Sequence, residues 1–470
     1  MFNVNILYLF KAIQGIEKNA YIRRKMTYEE GSSSNAVHNQ GSFSPQNNKE
    51  TLEEEVESVE QSYQIIFDSI VTSNESYIFS PIYVVPSRLR EVSANSFTPR
   101  VVSIGPLHKG QTNLKSMENM KKSYFVKLLR EVGSPEQTLQ NCMQMVMGSM
   151  EGIRRFYFGM DLNVYTNDEL ALMMVIDGCF ILRYINNLSI SGNLYSDNKL
   201  RSRNIALDLV LLENQIPFFV LQYIHDLIVQ KMQPQSNLTT MLKVILDHIN
   251  PFEDPLKLEN VGTDATHKHI LGLLHTCYKP IFRELPIIST VPIAHSAVEL
   301  DRVGVKIKPN KSLTWPMEMK FKKKSKFWHK PTLKMPVVRV DNFFEVVLRN
   351  LIAYEQYSPV ENYVTSYAMA MHMLVPTPAD IAKLGKSGVI ISYLGSNEKA
   401  SNLISSICEN VNLPDFYYME PWKNIAQHCN SYWPRNLGVF KGTYIDTPWK
   451  VIALLAAIVV FLITVIQFFR

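Results

Sequence analysis

Cysteine is scarce in this chain: five in 470 residues, at Cys142, Cys179, Cys277, Cys408 and Cys429, with no CxxC pair. That scatter argues against a zinc ribbon or a disulfide framework and fits a reducing compartment. No GxSxG, HExxH, P-loop or glycine-rich dinucleotide loop is present, so the common hydrolase, zincin and nucleotide signatures are missing. No repeat of fixed period appears, and no long linker separates two cores. No basic residue precedes the partly apolar start MFNVNILYLF; Lys11, Lys18, Arg23, Arg24 and Lys25 follow it, the reverse of a secretory leader. The expectation is therefore a chain whose bulk stays in the cytosol. Charged residues make up 19% and hydrophobic residues 46%, a mixture that excludes wholesale disorder and collagen-like sequence.

Against these absences stands one long hydrophobic run. Val451 to Phe469 reads VIALLAAIVVFLITVIQFF, in which only Thr464 and Gln467 are polar. At about 1.5 Å per residue a helix of this length spans roughly 28 Å, close to the hydrocarbon thickness of a bilayer. Trp449 and Lys450 at one end and Arg470 at the other suit the two interfaces. The segment reads as a single-pass membrane anchor, and Lys441 and Lys450 before it agree with a cytosolic N-terminal side. Four N-x-S/T sequons, at Asn74, Asn187, Asn237 and Asn310, occur at about the frequency chance allows and do not argue for a lumenal domain.

The net charge of +5 is a local feature. Residues 317–334, MEMKFKKKSKFWHKPTLK, hold seven lysines against the single Glu318, and without them the chain is close to neutral. No nucleic-acid partner is expected from such a balance. Lys320, Lys322, Lys323, Lys324 and Lys326, interleaved with Phe321, Phe327 and Trp328, suit anionic lipid headgroups. The competing reading is a solvated basic loop, which is the commoner case.

Hydrophobic periodicity predicts a mainly α chain. Residues 26–50 are polar and low in apolar content, and Thr51 with Glu54 forms a capping box ahead of a helical pattern. A proline-punctuated stretch through Pro81, Pro86, Pro99 and Pro106 leaves room only for short extended pieces. Asn113–Arg130 returns to helix. NDELALMMVIDGCFILRYINNL, with Asn167 as N-cap, and IALDLVLLENQIPFFVLQYIHDLIVQ, broken at Pro217, are apolar on nearly all sides and read as buried core helices. DNFFEVVLRNLIAYEQY, ENYVTSYAMAMHMLV and a capped segment over about Asn397–Val411 follow. Alternation in VELDRVGVKIK, LTWPMEMKFKK and TLKMPVVRVD predicts a two- or three-stranded ribbon at about 298–341. The expected organisation is a variable extension (1–75), one large helical domain (76–430), a juxtamembrane stretch (431–448) and a transmembrane helix (449–469).

The blocks IYVVPSRLREV, FTPRVVSIGPLHKG, LKSMENMKKSYF, MMVIDGCFIL, DLVLLENQIPFFVL, LKMPVVRVDNFFEVVLRNLIAYEQ, YVTSYAMAMHMLV and GVIISYLGSNEKASNL, followed by the Trp449-led anchor, resemble the plant family called domain of unknown function 247. They occur in the family's order over about residues 78–469. The resemblance implies a plant protein with a largely helical domain, a C-terminal membrane anchor and no established enzymatic activity. Some grass members are associated with pollen-side self-incompatibility, which implies recognition or signalling for that subset.

Candidate chemistry lies in polar residues within the apolar helices: Asp177, Glu213, Asn214, Gln215, Glu355 and Gln356. A carboxylate on such a helix must be hydrogen-bonded, paired or neutralised. Convergence of Asp177, Glu213 and Glu355 in a cleft would permit acid–base or metal chemistry. The structural alternative is a buried network held through Arg183, Arg349 or helix N-termini. His267, His269 and His275 lack the spacing of a metal ligand set, and His108 in the GPLHKG turn reads as a solvated residue or a phosphate contact. No catalytic residue, metal or cofactor is assigned. The leading expectation is a membrane-anchored, non-catalytic interaction or signalling protein with an unknown protein partner. An enzyme using Asp177, Glu213 and Glu355, or an extracytoplasmic recognition protein of the self-incompatibility type, are the alternatives.

Overall fold

The centre of the fold is a helix that is apolar on almost every side, Asn167–Ile190 (α3). From Leu170 to Ile185 nearly all its side chains are buried, and each fully buried aliphatic or aromatic side chain there contributes roughly 1.5–3 kcal/mol. Four helices enclose it: Lys115–Glu131 (α1), Pro135–Gly148 (α2), Phe218–Ile224 (α5) and Leu238–Ile249 (α6). Gly178 lets α5 come close, since a Cβ there would lie 2.4 Å from Ile224 Cδ1. The computed structural model describes residues 81–190, 199–258, 267–281, 293–312, 314–323, 330–431 and 448–469, with single positions at 436 and 443. They belong to a unit that runs from Asn74 to Arg470. The expected capping box at Thr51 and Glu54 lies outside the described residues.

α3 starts differently from expectation. Asn167 is inside the helix, and Thr166 is the cap: its hydroxyl accepts the Glu169 N–H (3.2 Å) while Glu169 accepts the Thr166 N–H (2.9 Å). Asn167 instead receives the Arg154 guanidinium. A larger departure comes next. The apolar run from Ile205 was expected to stay helical to Pro217, but Lys199–Asp208 (α4) stops at Asp208. Leu209–Ile216 is a buried turn. It is kept out of helix by its own amides, because Gln215 Nε2 donates to the carbonyls of Leu209 and Leu211 at 2.8 Å each.

A second cluster follows. His269 caps Ile270–Cys277 (α7), and Ala297–Arg302 (α8) opens with a Ser296–Glu299 capping box. Thus VELDR, expected as strand, is helical, because a cap and an i,i+3 apolar pair (Ala297, Leu300) outweigh its partial alternation. Asn342–Tyr357 (α9), Tyr363–Leu374 (α10) and Asn397–Ile407 (α12) pack together, and Pro378–Lys386 (α11) covers α8 and α12. Met419–Asn430 (α13) closes this half.

The strands are short. Ile82–Tyr83 (β1) pairs parallel with Tyr157–Phe158 (β2). Lys306–Pro309 (β3), Lys320–Lys322 (β4) and Thr332–Met335 (β5) form a three-stranded sheet in the order β3-β5-β4. Val338–Val340 (β6) belongs to a separate parallel pair with Ile390–Ser392 (β7). The segment TLKMPVVRVD therefore serves two sheets, divided at Pro336, which cannot donate to a ladder.

Pro448–Phe468 (α14) is the helix long and apolar enough to cross a membrane among the described residues. Its span Trp449–Phe468 has a mean hydropathy of 2.9, and none of its most apolar window is buried against the rest of the chain.

Candidate functional site

One group of buried polar residues converges on residues 100–108 (RVVSIGPLH), irregular backbone that ends in a turn. Asp208, the last residue of α4, accepts three successive backbone N–H groups, from Arg100 (3.0 Å), Val101 (2.7 Å) and Val102 (2.9 Å). Asn214 accepts the Ile104 N–H (2.7 Å) and donates to the carbonyls of Val102 and Asp208. Asp177 on α3 accepts the Gly105 N–H (2.8 Å). Gly105 has φ +71°, and a Cβ would stand 2.4 Å from the Gln215 carbonyl oxygen, so only glycine fits here. Irregular backbone without a partner strand has unpaired donors and acceptors. Side chains of α3, α4 and the 209–216 turn supply its partners, in place of a sheet.

The charges in this cradle are matched within the chain. Lys121, fully buried on α1, donates to Asp177 (2.6 Å) and the Ser103 carbonyl (2.8 Å) and contacts Glu118 (2.7 Å). Burial works against its charge, but Asp177 and Glu118 hold its ammonium above the ordinary lysine range. Burial likewise pushes the Asp177 carboxyl up, with Lys121 acting against it. The ion pair is the form that satisfies every contact in the group. Glu213 accepts the Val85 N–H (2.5 Å), the Arg90 guanidinium and His108 Nε2 (3.1 Å). Burial alone would raise its carboxyl, but His108, Arg90 and the Val85 N–H outweigh it and bring it below the usual value. Burial lifts the Asp208 carboxyl to about 6 against the pull of its three N–H donors.

A second network holds the other half. Glu355 on α9 accepts the N–H groups of Val364 (2.8 Å) and Thr365 (2.7 Å), the Thr365 hydroxyl (2.6 Å) and His275 Nε2 (2.9 Å). It thereby caps the first turn of α10 from a neighbouring helix, where a negative charge is favoured. His275 Nδ1 lies 2.8 Å from the Tyr363 hydroxyl, with the two rings stacked at 4.3 Å. Gln356 makes a reciprocal pair with the Asn412 backbone. His269 joins the two halves: Nδ1 accepts the Gly272 N–H (3.0 Å) and Nε2 lies 3.1 Å from the Pro81 carbonyl. Burial drops its pKa to about 3.

The structure thus brings Asp177, Glu213, Asn214 and Gln215 to one segment and puts Glu355 and Gln356 elsewhere. Arg183 and Arg349, expected as their partners, go to Glu131 and to Glu345 with Ser406 instead. Of the partners expected for the buried acids as a group, a helix N-terminus is the one that Glu355 meets, at α10. His108 is neither solvated nor a free phosphate contact, since it is buried between Glu213 and Gln111. Lys121, Asp208 and Asn350 were missed. Asp208 carried the same signal as Asp177, an acid in an apolar run. Asn350, which accepts the Leu212 N–H and donates to the Ser96 carbonyl, carried the signal of an amide in an apolar helix. Among the described residues no cluster of three or more His, Cys, Asp or Glu could hold a metal ion. Three surface concavities, around Trp315 with Lys257 and Lys311, along 392–397, and around Gly133 with Lys231, include none of Asp177, Glu213 and Glu355. Of the expected lipid contacts, Lys320 and Lys322 are exposed on β4 and Lys323 follows them; Lys324, Lys326 and Trp328 lie outside the described residues.

Comparison with known proteins gives a consistent result. The family designated DUF247, plant proteins of unknown function, matches residues 82–463. The UPF0481 protein At3g47200 of Arabidopsis thaliana is 27% identical over 422 residues, covering 82% of this chain and 85% of that protein. The putative UPF0481 protein At3g02645 of the same plant is 20% identical over 485 residues, covering 83% and 89%. No solved structure matches.

Proposed function

The chain belongs to the DUF247 family of plant proteins of unknown function, and from that premise we propose that it is a membrane-tethered, non-catalytic recognition protein. Its helical domain presents a preformed surface to a protein partner on the cytosolic side, and α14 is the tether. The observation that carries this reading is the saturation of the buried acids. Asp177, Glu213 and Glu355 each spend their oxygens on backbone N–H groups and fixed cations or histidines. A general base or metal ligand needs a free lone pair facing a cleft. Such saturation instead rigidifies an irregular segment, which is what a recognition surface requires. The exposed apolar α14 supports the tether, since a soluble helix of that composition would be covered.

Carbonate washing of membranes followed by protease treatment tests the reading. The chain should resist extraction, and an N-terminal tag should be digested without detergent. The sequons supply an internal reporter. Asn237 is exposed at the start of α6, whereas Asn310 is buried. A helical domain facing the lumen, as an extracytoplasmic recognition protein requires, would carry an N-glycan on Asn237. Its presence would replace the cytosolic reading.

A further inference from the structure

The sheet β3-β5-β4 has one apolar face and one lysine face. Register places Ile307, Leu333 and Phe321 in a row on the inner side, with Leu333 fully buried and Ile307 nearly so. The alternate positions form two outward rows: Lys306–Thr332–Lys322 and Lys308–Lys334–Lys320. Four of these lysines are exposed and Lys334 is half-buried. Lys320 reaches the buried Glu318 at 2.7 Å. Lys306, Lys308, Lys322 and Lys334 make no ion pair with any described residue. Residues 303–336 hold ten lysines and one glutamate, more positive charge than the whole chain's net +5. Side chains directly opposite on neighbouring strands stand about 5 Å apart, where like charges destabilise a sheet. In the row of three lysines Glu318 meets the charge of Lys320 alone, and Lys308 and Lys334 stand side by side with no described acid to offset them.

The sheet is linked to the tether through α13. α13 packs on β4, with Lys323 Nζ 3.3 Å from Gln427 Oε1 and the Phe321 ring against His428. Only residues 431–447 separate α13 from α14, a stretch that at its fullest extension reaches roughly 60 Å. A membrane-inserted α14 would keep the lysine face permanently near a leaflet at high effective concentration.

We propose that the outward face of β3-β5-β4 docks on anionic phospholipid headgroups of the leaflet next to α14, orienting the helical domain against the membrane. The proposal rests on the membrane reading above and adds Lys306, Lys308 and Lys334 to the lysines visible in the sequence run. Each lysine held within a Debye length of an anionic surface multiplies surface partition by about fivefold. Five on one rigid face act together, and Thr332 leaves a small, neutral gap among them.

The test is hydrogen exchange of the full chain in nanodiscs of phosphatidylcholine alone and of phosphatidylcholine with phosphatidylserine. Peptides covering 306–309, 320–322 and 332–335 should exchange at least several-fold more slowly in the anionic discs, and high salt should abolish the difference. The variant Lys306→Gln/Lys308→Gln/Lys322→Gln should lose it while melting at or above the wild-type temperature. Lys122→Gln/Lys127→Gln/Arg130→Gln, equal in charge change but on exposed positions of α1, should keep it. Equal exchange in both discs, or equal loss in the two variants, overturns the assignment. So does protection by added polyglutamate without any effect of phosphatidylserine, which would mark an acidic protein partner. Failure of the tether would show separately, as chain released from membranes by carbonate.

Discussion

The cradle around residues 100–108 and the lysine sheet treat charge in opposite ways. In the cradle, Lys121 and Asp177 are both removed from water; Lys121 meets Asp177, Glu118 and the Ser103 carbonyl, and both Asp177 oxygens are hydrogen-bonded. On the sheet, Lys306, Lys308 and Lys322 point into solvent beside one another. The first arrangement is closed, since no partner outside the chain is required to explain it. The second is open: these lysines have no acidic partner among the described residues, and the proposed anionic surface would supply one. Where polar groups are saturated they report on architecture, and where they are left over they are the place to test for a partner.

The largest effect expected from this contrast comes from opening the closed side. Asp177→Leu leaves Lys121 charged and buried and should cost about 3–5 kcal/mol, read as a lower guanidinium midpoint for the full chain in detergent. Combining it with Lys121→Met should recover most of the loss, because the pair is replaced by apolar volume. A double variant no better than the single would mean that the pair is not the closed unit described.

A pH titration should have a smaller effect. The neutral His269 ring accepts from Gly272 and faces the Pro81 carbonyl, and its folded pKa of about 3 lies below the unfolded value near 6.5. The unfolded state therefore binds the extra proton between these values, so stability is full above 6.5 and falls as pH drops toward 3. By pH 5 the loss is about 2 kcal/mol. Asp208 works in the opposite sense: its folded pKa of about 6 is raised, so acidification through 6 relieves rather than costs. Comparing wild type with His269→Asn, which keeps an N-cap acceptor, isolates the histidine. An unchanged pH slope in that variant would remove His269 as the cause.

The smallest effect should carry the opposite sign. Lys308→Gln or Lys334→Gln relieves the row of like charges and should stabilise the chain by about 0.2–1 kcal/mol in neutral detergent at low salt. Destabilisation instead would show that the sheet face is already compensated within the molecule, and the contrast between the two regions would collapse.

Part of each region was legible before the fold was known. An acid inside MMVIDGCFIL or DLVLLENQIPFF cannot be solvated, so Asp177 and Glu213 stood out from hydrophobicity alone. Their partners did not. Lys121 lies 56 residues from Asp177 and sits on a helix with ample exposed surface, where a buried lysine looks like any other. The turn at 209–216 was hidden because its residues are apolar enough for helix, and only the fit of Gln215 to the Leu209 and Leu211 carbonyls ends the helix there. The lysine run at 320–326 was plain, whereas Lys306 and Lys308 joined it only through strand pairing.

By itself the sequence determined the helical character, the family, the buried acids and an apolar C-terminal helix long enough to span a bilayer. These follow from periodicity, composition and desolvation, which are properties of neighbouring residues and of single groups. Only the tertiary structure decided which backbone each acid would hold, that Glu355 would cap α10 apart from the other two, and that five lysines would share one face. Those outcomes depend on contacts between distant segments, and hydrogen-bond geometry and strand register exist only once the chain has closed on itself.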